Sequence, residues 1–158
     1  MNKHIFIGFV SLVAVGCSPA QGLDGEWTRT EKDGYYNYSE EKAVVCETTS
    51  ENLTINKDGT FTWIIEQVDP ANDDCYQDVT ATDTLNVTGT WSAWIFDGQD
   101  GRYVTFEQTH ATEEYVEGDE RDSWEDVGTY EFETGFALGK NAEGRFLQLV
   151  DFGLYNEI

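Results

Sequence analysis

Few side chains in this 158-residue sequence have the types and spacing to do chemistry. Beyond His4 the only histidine is His110, in EQTHATEE, so a Ser-His-Asp or Cys-His device would have to be built on it. Among neighbouring acids it reads instead as a histidine at a strand end. A pair of carboxylates can hydrolyse a glycosidic bond, but 31 acids nominate no particular two. The densest acidic run, EEYVEGDERDSWED, puts Glu113, Glu114, Glu117, Asp119, Glu120, Asp122, Glu125 and Asp126 into fourteen residues. Calcium takes such oxygens, yet the Asp-x-Asp-x-Asp-Gly spacing of an EF-hand loop is missing here and in DGQDGR. A mobile, solvated acidic loop is therefore the stronger reading and calcium the weaker. Cys46 and Cys75 lack both CxxC spacing and a histidine partner, which argues against catalysis or metal binding. No catalytic, metal-binding or cofactor-binding residue is nominated, and the expectation is a protein that is not an enzyme.

The cysteine count is odd, and Cys17 is the odd one. It follows Lys3 and an apolar run from Ile5 to Val15, far short of the roughly 20 residues of a membrane-spanning helix, so residues 1–16 read as a signal peptide. Two cleavage sites compete: before Cys17, after the small residues Ala14 and Gly16, or after Ala20, where Ser18 and Ala20 form an A-x-A-like site. Either way Cys46 and Cys75 remain as an even pair in an oxidising compartment, where disulfides belong. Together they would staple the strand before the first hairpin to the loop DPANDDCYQD, closing about thirty residues for about 3 to 4 kcal/mol. AVGC resembles the lipobox of bacterial lipoproteins, with Ala14 where the family usually has Leu. The resemblance implies lipidation of Cys17, a tether over residues 17–22, and a place in the bacterial cell envelope, the outer membrane more than the inner; plain secretion is the alternative.

Charge bounds the partners. The whole chain carries a formal charge of −22; without residues 1–16 it has 8 basic against 31 acidic residues and a charge of −23. Nucleic acid and anionic membrane surfaces repel such a domain, because phosphate binding rests on Lys and Arg clusters that are missing here. Cationic partners are favoured, although solubility alone explains a charged surface.

The elements that would position these groups are strands. LTINKDGTFTWIIEQV alternates Leu53 and Ile55 with Thr54 and Asn56, turns at Lys57-Asp58-Gly59, then alternates Phe61, Trp63 and Ile65 with Thr60 and Thr62, the signature of a hairpin. GEWTRT, AVVCETT, LNVTGTWSAWIF, RYVTFEQT, GTYEFET, GFALGK and RFLQLVDF continue the theme between Gly-containing turns. The best helical stretch, THATEEYVEGDERDSW, holds a glycine and mostly charge. About eight short antiparallel strands in one domain over 23–158 make an all-β fold, either an up-and-down barrel or a β-sandwich.

LDGEW, with Gly25-Glu26-Trp27 on the first strand, resembles the G-x-W element of lipocalins and of the lipocalin-like domains of bacterial lipoproteins; DGTF and GTWS (89–92) are similar to their later elements. The resemblance covers residues 23–158 in outline. It implies an eight-stranded antiparallel barrel with Trp27 plugging one end, and a small apolar or amphipathic ligand bound in the mouth. Arg145 is either the arginine that packs over that tryptophan or an exposed charge.

Strand alternation places Phe61, Trp63 and Ile65 on one face with Thr60, Thr62 and Ile64 on the other, and sends Val104 and Phe106 inward with Tyr103 and Thr105 outward. Phe61, Trp63, Ile65, Val104 and Phe106 are thus the ligand-cavity candidates. The five tryptophans suit a filled core or an aromatic-lined cavity. Sequons at Asn37, Asn52 and Asn86 would matter only in a eukaryotic secretory route. The sequence points to a monomeric binding protein for a small lipophile, held to the membrane only through its lipid; the alternative is a structural or interaction module of the envelope whose barrel is filled.

Overall fold

A computed structural model describes residues 20–95 and 101–158; Cys17 and residues 1–16 lie outside the described residues. The described residues form nine strands: β1 (Gly25–Asn37), β2 (Lys42–Ile55), β3 (Thr60–Asp69), β4 (Ala81–Ile95), β5 (Arg102–Glu117), β6 (Glu120–Asp126), β7 (Tyr130–Lys140), β8 (Arg145–Leu149) and β9 (Gly153–Glu157). All named pairings are antiparallel. Eight strands, all but β6, close into an up-and-down barrel in which β9 returns to β1 and β4 pairs with β5; β6 is added along the second half of β5. Where the sheet closes, it has no free edge to template pairing with other chains.

The β2–β3 hairpin has the chemistry that its sequence demands. Gly59 sits at φ 87°, a conformation open to glycine without a Cβ penalty. The Asp58 carboxylate accepts from Thr60 N (3.0 Å) and Thr60 Oγ1 (2.7 Å). Those bonds, the side-chain one first, hold Asp58 below the usual carboxylate range.

Closure is confined to one end. β9 meets β1 only at Trp27 and Thr28, and β8 meets β7 only over 136–140. Beyond that level β1 is paired only with β2, and β6 only with β5, so the other end is an open, curved sheet running β1-β2-β3-β4-β5-β6.

Three stretches differ from the sequence expectation. The acidic run is a hairpin rather than a mobile loop: β5 continues through Glu117, turns at Gly118 (φ 58°) and returns as β6. A bulge at Thr109 had hidden this, because register passes from Thr88↔His110 to Gly89↔Gln108 and leaves one residue unpaired. That slip resets the alternation, turning Ala111 and Glu113 toward the inner face where an unbroken period puts His110 and Thr112. GTYEFET and GFALGK are one strand, RFLQLVDF is a strand only as far as Leu149, and GLYNE (153–157), which has no counterpart among the expected strands, supplies a ninth.

The core lies inside the closed end: Leu23, Trp27, Leu53, Ile55, Phe61, Trp63, Val87, Val104, Phe106, Ala111, Phe136, Leu147, Leu149 and Tyr155 are all buried. Gly89 belongs to this layer by necessity, since a Cβ there would lie 2.0 Å from Glu107 O and 2.8 Å from the Phe61 ring.

Candidate ligand site in the barrel mouth

The barrel stops at Trp27. Its ring is wholly buried, its Nε1–H donates to Leu23 O (3.0 Å), and the Arg145 guanidinium lies 5.3 Å over the ring. Arg145 is held there by donating to Gly22 O and by an ion pair with Glu157. Of the two roles open to it, Arg145 thus takes the packing one. A hydrogen-bonded tryptophan under a held cation closes this end.

Above Trp27 the interior is filled. Trp63 packs against Phe152 (4.9 Å between centroids), Phe132 (5.9 Å), Phe106 (6.2 Å) and Tyr155 (6.3 Å), and Phe61 meets Phe106 edge-on at 4.9 Å. The predicted faces hold: Phe61, Trp63, Val104 and Phe106 are buried, while Ile64 on the opposite face is exposed. These four residues therefore sit in packed core, and of the five cavity candidates only Ile65 lines the mouth cavity described below.

A polar knot that sequence reasoning missed lies at the top of this core. Glu51, 8% exposed, points inward between Thr49 and Leu53. Its Oε2 accepts from Trp63 Nε1 (3.1 Å) and from Tyr155 Oη, and its Oε1 faces Arg29 Nη1 at 3.3 Å. Arg29 also pairs with Glu31. Burial first, and then the Glu51 carboxylate, push the Tyr155 phenol far up, so it stays a donor. The signal in the sequence was slight: Glu51 falls on the same alternation as Leu53 and Ile55, a polar residue in a core position.

Over this knot lies a cavity of about 460 Å³, lined by Ile65 and Gln67 of β3, Asp83, Leu85 and Val87 of β4, Gln108, Ala111 and Glu113 of β5, Trp124 and Asp126 of β6, and Tyr130 of β7. Register sets the pattern: Ile65, Leu85, Glu113 and Trp124 form one cross-strand row, and Trp63, Val87, Ala111 and Asp126 the next. Burial, followed by the charge of Asp83, raises Glu113 above the usual range. The lining mixes apolar side chains with the Asp83, Glu113 and Asp126 carboxyls, the Gln67 and Gln108 amides and the Tyr130 hydroxyl, and it contains no Lys, Arg or His.

The remaining expected residues lie elsewhere. Cys46 and Cys75 form the disulfide, with Cα atoms 5.5 Å apart, tying β2 to the loop before β4. His110 is on the outer face of β5, 3.5 Å from Glu125. Among the described residues no group of three or more His, Cys, Asp or Glu side chains is placed to hold a metal ion, and no helix is long and apolar enough to cross a membrane. Fold and cavity together define an antiparallel barrel with Trp27 buried at its closed end and a cavity toward the other. No protein-family model matches the chain, and neither the curated proteins nor the solved structures give a match.

Proposed function

We propose that this chain is a lipocalin-like lipoprotein of the bacterial cell envelope, anchored through Cys17, whose barrel binds a small apolar or amphipathic ligand without transforming it. The observation that carries this reading is the mouth cavity of about 460 Å³ with Ile65, Leu85, Val87 and Ala111 on its inner surface, within the size range of small-molecule sites, which runs from about 300 to 1,000 Å³. The plugged end supports it too, because a barrel closed by Trp27 and Arg145 leaves one route in. A second reading, an envelope module with a filled barrel and no ligand, draws on the aromatic packing around Trp63.

Titration with N-phenyl-1-naphthylamine, a neutral lipophile that brightens in apolar surroundings, separates the two. The binding reading expects saturable one-site binding, weakened at least about tenfold by Leu85→Arg, which brings charge and bulk into the cavity while cooperative unfolding is kept. Absence of saturable binding, or equal binding by Leu85→Arg, favours the filled module.

A further inference from the structure

β1 outruns the strand that closes the barrel against it. β9 pairs with it only at Trp27 and Thr28 and begins at Gly153, and no other described strand lies on that side of residues 29–37. Ile158 N donates to Glu26 O at 3.0 Å, which fixes the side to which each residue of β1 turns its backbone groups. Those groups alternate along a strand, so Thr30, Lys32, Gly34 and Tyr36 turn theirs away from β2. The register shift at Asp33/Gly34 leaves Cys46 of β2 unpaired rather than a residue of β1, so the alternation carries on. Gly34 agrees with it, since its N–H is taken by the Asp33 carboxylate at 2.7 Å. Residues 30–36 are all exposed, and a strand end that buries so little should fray. It is fastened instead. The Cys46–Cys75 bond, Tyr35 Oη donating to Asp74 O at 3.0 Å, and Lys42 pairing with Asp74 at 3.1 Å hold the β1–β2 end to the loop before β4. A long free edge kept extended in this way can accept a further strand.

We propose that this edge of β1 docks an extended, basic segment of another protein, which adds to the sheet as a strand beyond the start of β9. The main-chain bonds come from the outward groups of Thr30, Lys32 and Tyr36, and charge selects the occupant. Two-fold pairing of two copies centred on Glu31, Lys32 or Asp33 sets each residue against its own like charge. Each copy also carries −22 overall, which adds to the repulsion. Lysines at alternate positions of an added strand fall opposite Glu31 and Asp33, which share a face by strand alternation, and leave an uncharged residue opposite Lys32. Glu31 keeps 66% of its side chain exposed beside Arg29 and is open to such a neighbour. At longer range the chain's charge steers basic segments toward it, an effect that salt screens beyond about 8 Å. This docking does not depend on the mouth cavity.

Amide hydrogen exchange read by NMR at physiological salt, with and without a capped octapeptide of alternating Lys and Thr, tests this. Saturable binding should slow exchange at Thr30, Lys32 and Tyr36 by at least about tenfold and leave β6 unchanged. The matching peptide of alternating Glu and Thr should not bind. Lys32→Pro removes one outward N–H, a change that edge strands tolerate, and should abolish binding even though it takes away a positive charge. Lys32→Thr keeps the N–H and should bind the peptide at least as well as the parent. The Lys-Thr peptide N-methylated throughout keeps its charge without its donors and should not bind the parent, a check that needs no variant to fold. Equal binding by that peptide, or by Lys32→Pro, overturns strand addition and marks attraction to surface acids. Slowed exchange along β6 instead of β1 overturns the choice of edge. Slowed exchange along β1 in a peptide-free dimer overturns the basic partner in favour of a second copy, and failure of the Lys-Thr peptide to bind refutes the proposal.

Discussion

Replacing Glu51 by alanine probes the buried polar knot that joins β1, β2, β3 and β9. One carboxylate serves three partners there: the Trp63 indole N–H at 3.1 Å, the Tyr155 hydroxyl and the Arg29 guanidinium at 3.3 Å. Removing it strands two buried donors and one cation whose side chain is only 16% exposed. Breaking a buried ion pair from one side costs about 3 to 5 kcal/mol, and each deserted donor adds to the same penalty. The expected loss for Glu51→Ala is therefore about 3 to 5 kcal/mol, a fall in Tm on the order of 10 °C for a domain of this size. Tyr155→Phe removes one donor and leaves the carboxylate its other two partners, so it should cost about 1 to 2 kcal/mol. Because the hydroxyl loses its acceptor in either variant, the double variant should cost less than the sum of the singles. Urea unfolding followed by tryptophan fluorescence measures all three. A loss below about 1 kcal/mol for Glu51→Ala, or strict additivity in the cycle, would refute the role given to this knot.

Further outcomes follow from the same structure and, for Cys17, from the proposed lipid anchor. Breaking the Cys46–Cys75 bond by Cys75→Ala frees a loop of sequence separation 29 and should lower stability by about 3 to 4 kcal/mol in the chain-entropy model; an unchanged urea midpoint contradicts this. Glu113 is raised above its ordinary value of 4.5, so the folded state holds that proton more tightly than the unfolded chain. The resulting stability is complete below the ordinary value and is lost as pH rises through the folded one. Glu113→Gln should therefore be more stable than the parent at neutral pH, with the advantage vanishing in acid below about 4.5; equal melting curves at pH 7 would count against it. Trp63→Ala, which empties the centre of the aromatic layer, should cost about 3 to 5 kcal/mol, measured by the same unfolding assay. Cys17→Ser should move the protein from the membrane fraction to the soluble one and lower its mass by the lipid, since stable anchoring takes more than one acyl chain; a variant still bound to membranes, with no change in lipid mass, contradicts lipidation.

Alternation of side chains made the strands and their interior faces readable, while the choice of barrel over sandwich came from the lipocalin resemblance. Phe61 and Trp63, Val104 and Phe106 fall on the core side because a period of two leaves no other choice once one face is apolar. The staple was readable from cysteine number alone. What alternation could not show was where it breaks: the unpaired Thr109 reverses the faces of everything after it, so the inward Glu113 and the whole β5–β6 wall of the cavity looked like a solvated loop. Glu51 was hidden for a different reason. A carboxylate at an interior position is satisfied by Arg29, Trp63 and Tyr155, which arrive from 22 residues before it and up to 104 after it, and long-range pairing of this kind leaves no local pattern. The cavity-lining residues shifted accordingly, from the aromatic layer to Ile65, Leu85, Val87 and Ala111.

Amide chemical shifts followed through a titration with N-phenyl-1-naphthylamine report whether the mouth cavity takes up a ligand. Saturable shifts should centre on Ile65, Leu85, Val87, Ala111 and Glu113, with Leu147, Leu149 and the plug around Trp27 unmoved. No shifts at saturating probe, or shifts centred on the outer-face residues Thr84, Asn86 and Glu114, would contradict the claim.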